Sequence, residues 1–138
     1  MKNKAPKYKY QNIMLIDDND LDNFINEKTV EANLFAKKIF ICTSGKSAIE
    51  FLNNLIVLDD KLSNNFPEVI FVDLNMPLMD GLKFIDHFTK HQQKKLKNPK
   101  IVILTSSVNP EDEKKGKEIV NDIIFLNKPL TKLMLDKL

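Results

Sequence analysis

Residues 69–81 read VIFVDLNMPLMDG. Val69, Ile70, Phe71 and Val72 form an unbroken apolar run, rich in β-branched residues, that ends on the carboxylate of Asp73. No polar alternation marks a solvent face, so the run predicts a strand buried on both sides, as in a parallel sheet covered by helices. Four more runs of this kind lie outward from it, at residues 13–16, 39–42, 101–104 and 123–126. Together they predict five strands.

The segments between the runs carry helical spacing. Leu21, Phe24, Ile25 and Ala32 fall on one face and predict an apolar stripe for a first helix. Ala48, Ile49, Leu52, Leu55 and Ile56 give a second stripe, and Leu82, Ile85 and Phe88 a third. The fourth segment has good end signals instead. Asn109 suits an N-cap, Pro110 the N1 position, and Glu111, Asp112 and Glu113 the first turn. It has almost no apolar stripe before Ile119, and Gly116 interrupts it, which predicts a weakly anchored, mobile helix. A fifth helix is expected from about Thr131, with loops at residues 64–67 and 94–100. Strand and helix alternating five times predict one α/β domain with a parallel sheet and right-handed crossovers.

Composition narrows the function classes. The chain has 138 residues, 43% hydrophobic and 29% charged, with three Gly and six Pro, the balance of a single ordinary globular domain. No apolar run approaches the roughly 18 residues needed to cross a bilayer, and the basic start MKNKAPKYKY has no apolar segment behind it. No membrane association or secretory signal is therefore expected. A single cysteine, Cys42, cannot form an intrachain disulfide; a buried hydrophobic role in a reducing, cytoplasmic setting is expected. All 21 basic residues are Lys and the net charge is only +2. Without Arg for bidentate guanine contacts, no direct nucleic-acid binding is expected. Residues 1–11 read as a basic, solvated tail, with Tyr8 and Tyr10 as weak partner-contact candidates, and 12–138 as the domain.

In open α/β sheets, ligands bind beyond the carboxyl ends of the strands where the strand order switches. Those positions hold Asp17 and Asp18 after the first strand, Asp73 after the third, Thr105 and Ser106 after the fourth, and Asn127, Lys128 and Pro129 after the fifth. Each has a plain structural reading when taken alone. The run DDNDLD reads equally as an acidic helix start with Asp20 near the N-cap. Asp73 reads also as a turn residue, Thr105 as an unexceptional strand end and Lys128 as a solvated surface lysine. Their joint placement at one sheet edge favours a site. Three adjacent carboxylates repel one another, and a hard divalent cation with oxygen ligands relieves the conflict. Lys128 can neutralise further negative charge and Thr105 can donate a hydrogen bond. A phosphoryl group carried on one Asp would satisfy every part.

The set MLIDDND, VIFVDLNMPLMDG, IVILTSS and IIFLNKP, in this order and spacing, resembles the receiver domain of two-component response regulators over nearly the whole chain, from about Asn12 to Leu138. The resemblance implies a flavodoxin-like, doubly wound five-stranded sheet of order 2-1-3-4-5 with helices on both faces. It implies Asp73 as phosphoacceptor, with Thr105 and Lys128 acting on the phosphoryl group. It implies Mg²⁺, or Mn²⁺, held by Asp17, Asp18, Asp73 and the backbone carbonyl of Asn75, with Asp18 the more direct ligand of the acidic pair. Phe125 falls at the position of a switch aromatic coupled to Thr105. Asn75 and Ser107 stand where hydrolysis is tuned. A cis peptide before Pro129 is also implied. The implied partners are a sensor histidine kinase or histidine phosphotransfer protein and an unknown downstream protein. The oligomeric expectation is a monomer or a weak phosphorylation-dependent dimer. Such a domain is not an enzyme on other substrates, since it catalyses only its own phosphorylation and dephosphorylation.

Rival readings carry less. A phosphatase of the haloacid dehalogenase type needs a second Asp where Asn75 stands, and a cap domain. A phosphorylation-independent scaffold remains the alternative, though such chains usually lose an acid, the acceptor or the lysine, and all are present. His87 and His91, spaced i, i+4, make at most half a zinc site and read as a surface pair. Met76 and Met79 flank the site loop and read as packing.

Overall fold

The computed structural model describes residues 5–58, 63–106 and 108–138. Strands β1 (Tyr10–Ile16), β2 (Ala36–Cys42), β3 (Val69–Asp73), β4 (Lys100–Thr105) and β5 (Ile124–Asn127) alternate with helices α1 (Asp20–Ala32), α2 (Gly45–Val57), α3 (Gly81–His91), α4 (Pro110–Ile119) and α5 (Lys132–Asp136). The sheet is parallel throughout, in the order β2-β1-β3-β4-β5. This is the flavodoxin-like order expected, with the switch between β1 and β3.

Both faces of the central strands are apolar, and alternate residues enter opposite cores. Met14, Ile16, Ile70, Val72, Ile101 and Ile103 pack with Leu52 of α2 and with Phe84 and Phe88 of α3, and Val120 and Ile123 close this core beside α4. Ile13, Leu15, Val69, Phe71, Val102 and Leu104 pack on the other face with Val30 of α1 and Leu135 of α5. The strands run past the apolar runs because the ladder, not hydrophobicity, sets their ends: Tyr10 pairs with Ala36, and Thr105 with Asn127. β2 and β5 are edge strands, so their central residues are only partly buried, unlike the fully covered runs the sequence suggests.

One helix face is a correction. Leu21, Phe24 and Ile25 are 64%, 55% and 40% exposed, and Ala32 is exposed as well. The buried residues of α1 are Asn23, Asn26 and Val30. The rotation is fixed at the helix start. The Asn19 side chain caps the helix by accepting from the Asp22 N–H, and Asn23 Nδ2 donates to the Asp17 carbonyl at 2.8 Å. Those bonds hold an asparagine face against the sheet, and the apolar residues are left outside.

The fourth helix has the predicted ends. Asn109 accepts from the Glu111 N–H and Pro110 is the first helical residue. Its buried residue is Gly116, and the missing side chain is the point: a Cβ there would lie 2.8 Å from Phe125 Cζ. The Phe125 ring rests on the helix backbone in place of an apolar anchor. Tyr10 belongs to β1, where its ring packs on Phe35.

Candidate functional site

Strand register brings the functional candidates to one edge. Ile16 pairs with Val72, Asp73 with Leu104, and Thr105 with Asn127. Asp17 and Asp73 are therefore level, with Thr105 one residue and Lys128 two residues further along, where the four strands end. Asp73 is held there by two tight fits. The α3 N-terminus butts against it, since a Cβ on Gly81 would lie 2.6 Å from the Asp73 carbonyl oxygen, and the Gly81 N–H donates to Leu74 O. Glycine is needed here for space. Asp80 caps α3 by accepting from the Lys83 N–H. The loop between β3 and α3 carries Leu78 fully exposed at φ 67°, a left-handed conformation uncommon for a bulky side chain.

The carboxylates converge. One oxygen each from Asp17, Asp18 and Asp73 lies within 4.8 Å of the others, the one such acidic group among the described residues. A six-coordinate Mg²⁺ with ligands at about 2.0–2.1 Å separates neighbouring oxygens by about 2.9 Å and opposite ones by about 4.1 Å. A small contraction of the group thus suits a hard cation. Asp17 and Asp73 are buried while Asp18 is exposed, so one side stays open to water and to a further ligand.

Lys128 is the counter-ion. Its Nζ lies 2.6 Å from Asp17 Oδ2, 3.0 Å from Asp22 Oδ2 and 3.3 Å from Asp73 Oδ1, and its side chain is only 13% exposed. Burial alone would lower its pKa. The hydrogen bonds to Asp17 and Asp22 and the charges of Asp17 and Asp73 outweigh burial and hold it above the ordinary lysine value. Asp73 moves the other way from a typical paired acid. Burial first, and the Asp17 charge second, push its carboxyl above the usual range; Lys128 and the Asn75 backbone N–H pull it only part of the way back. The site holds more negative charge than its one lysine balances.

Thr105 is fully buried at the end of β4, and its carbonyl accepts from the Lys128 N–H at 2.8 Å. The Lys128–Pro129 peptide is cis, as the resemblance implies. Phe125 is half-buried two elements away from the acids, on Gly116. Asn75 is exposed beside Asp73, and Ser107 lies outside the described residues. His87 and His91 bring their ring centroids to 4.5 Å on α3, without a third ligand among the described residues. Met79 packs over Gly45, and Met76 is buried in the core. Asp22 is the residue that sequence reasoning missed. Its signal was its place in DDNDLD, four residues after Asp18 and beside the buried Asn23, on the turn that faces the sheet edge.

Comparison with known proteins gives one family. Residues 13–137 match the response regulator receiver domain. A two-component response regulator from Cytophaga hutchinsonii has 32% identity and a TM-score of 0.80, with 92% of each chain covered. The receiver domain of the histidine kinase CKI1 from Arabidopsis thaliana complexed with Mg²⁺ shares the fold at a TM-score of 0.77 and 20% identity, over 89% of this chain and 86% of that one. The sensor histidine kinase CheAY of Helicobacter pylori is 31% identical over 106 residues, which are 77% of this chain and 12% of that protein. The hybrid signal transduction histidine kinase C of Dictyostelium discoideum is 30% identical over 85% of this chain. The chain spans only 12% and 9% of the lengths of these two kinases.

Proposed function

The chain belongs to the response regulator receiver family of two-component phosphorelay systems, and from that premise we propose that Asp73 accepts a phosphoryl group from a phosphohistidine on a sensor kinase or a phosphotransfer protein. A carboxylate oxygen of Asp73 forms the new O–P bond as the N–P bond breaks, and the electron pair leaves with the imidazole nitrogen. Lys128 pairs with the transferring group, and Thr105 donates to it. Asp17, Asp18, Asp73 and the Asn75 carbonyl would hold Mg²⁺. That ion, when bound, supplies positive charge beside the phosphoryl oxygens. The observation that carries this reading is the convergence of three carboxylates with one half-buried lysine at the switch edge of the sheet.

Phe125, poised on Gly116, is the switch aromatic in this reading, and the faces of α4 and β5 are the output surface for a downstream protein. Asn75 and Ser107 set the rate of self-dephosphorylation. Residues 12–138 act as the receiver unit, with β1 extending it back to Tyr10 from the basic N-terminal segment. No described helix is long and apolar enough to cross a membrane, and the buried free thiol of Cys42 suits a reducing cytoplasm.

The test is intact mass after incubation with acetyl phosphate, with Mg²⁺ and again with a chelator. One phosphoryl adduct is expected, dependent on the metal, mapped to Asp73 and lost in Asp73→Asn. An adduct on another side chain, or none with metal present, refutes the assignment.

A further inference from the structure

Asp22 holds none of the positions that the family resemblance supplies, yet its carboxylate is part of the site. An ammonium has three N–H donors, and Lys128 meets three carboxylates: Asp17 at 2.6 Å, Asp22 at 3.0 Å and Asp73 at 3.3 Å. Asp22 is nearer to Nζ than Asp73 is. Its aim is set by the fold. The Asn19 cap receives its N–H, and its neighbour Asn23 is 3% exposed and bonded to the Asp17 carbonyl. The same rotation that leaves Leu21 and Phe24 in solvent turns Asp22 onto the lysine.

We propose that Asp22 is a positioning residue that divides Lys128 between α1 and the group on Asp73, and so sets the balance between the cation affinity and the anion affinity of the site. This rests on the reading of Asp73 as phosphoacceptor. An incoming phosphoryl group needs a donor from Lys128, and Asp22 occupies one while adding negative charge that repels the anion. The same charge favours a cation at the neighbouring acids. Removing it therefore moves the two affinities in opposite directions. Loss of local structure would weaken both.

The experiment titrates Mg²⁺, and then beryllofluoride at saturating Mg²⁺, into the wild type, Asp22→Asn and Asp22→Glu by calorimetry. Urea unfolding verifies that each variant is folded. Asp22→Asn should weaken Mg²⁺ about two- to fivefold and tighten beryllofluoride by a similar factor, the range of a half-exposed ion pair. Asp22→Glu should restore both values toward the wild type. Shifts of the same sign, no shift in either ion, or a glutamate variant that behaves like asparagine would overturn the proposal. A wild type that binds both ions beside unshifted variants removes the role of Asp22 alone. A wild type that binds neither removes the phosphoacceptor reading and the proposal with it.

Discussion

Replacing Gly116 with alanine tests directly what anchors α4. The new methyl would lie 2.8 Å from Phe125 Cζ and 2.9 Å from Cε2, well inside the roughly 3.5–4.0 Å at which carbon atoms settle. Two terms oppose each other. Alanine is about 1 kcal/mol better than glycine in a helix interior. Overpacking of a filled contact costs about 1–3 kcal/mol. The single variant should therefore range from unchanged to about 2 kcal/mol less stable. Truncating Phe125 to alanine removes the obstacle, and Gly116→Ala in that background should gain about 1 kcal/mol. The coupling between the two positions is then about 1–3 kcal/mol. Urea unfolding of the four proteins measures it, with slopes compared to confirm a common transition. Independent sites add to within about 0.3–0.5 kcal/mol. A coupling below that, or a Gly116→Ala protein a full 1 kcal/mol or so more stable than the wild type, would refute the view that the Phe125 ring fills the place of the missing side chain.

Other expectations follow from the same contacts. Phe24→Ser on the exposed face of α1 should change stability by no more than about 0.5 kcal/mol, whereas Phe84→Ala, fully buried in α3, should cost about 3–5 kcal/mol in the same denaturation assay; equal losses would return Phe24 to the core. Burial pushes the Cys42 thiol up to about 11 against the opposing Ser47 hydrogen bond. Alkylation by iodoacetamide at pH 8 should thus be roughly a hundredfold slower in the native protein than in urea, from thiolate fraction alone, and rapid native labelling would contradict the burial. Asp73 binds its proton more tightly folded than unfolded, so it contributes instability to the metal-free protein at neutral pH that is relieved as the pH falls through its raised value. Asp73→Asn should then be more stable than the wild type at pH 7, with the gap closing on acidification; a gap that widens toward acid would reverse the sign.

The sheet was legible because burial on both faces leaves uninterrupted apolar runs, and the strand ends then placed Asp17, Asp18, Asp73, Thr105 and Lys128 at one edge. What was not legible depended on side chains whose partners lie far along the chain. Leu21, Phe24 and Ile25 satisfy the helical period, but the period cannot say which of two faces meets the sheet. Asn23 and Asn26 took that face, where the Asn23 amide N–H finds a buried acceptor in the Asp17 carbonyl, although its Oδ1 has no partner among the described residues. Gly116 reads as an interruption until Phe125 is seen against it. The pairing of Asp22 with Lys128 spans 106 residues, and nothing local to either residue announces it.

Lys128 has two demands on it that cannot be met at once. In the metal-free protein it makes the burial of Asp17 and Asp73 tolerable, since removing one partner of a buried ion pair leaves an uncompensated charge. In the proposed transfer the same ammonium must serve the phosphoryl oxygens. Its distances show which claim is stronger before any ligand arrives: Asp17 and Asp22 are both nearer than Asp73. Lys128 can turn to a phosphoryl group only when other positive charge has taken its place beside Asp17. The raised pKa of Asp73 and the crowding of three carboxylate oxygens within 4.8 Å express the same shortage of positive charge. In the proposed transfer, a site built this way binds its anion well only after its cation. That order follows from one lysine shared among three acids.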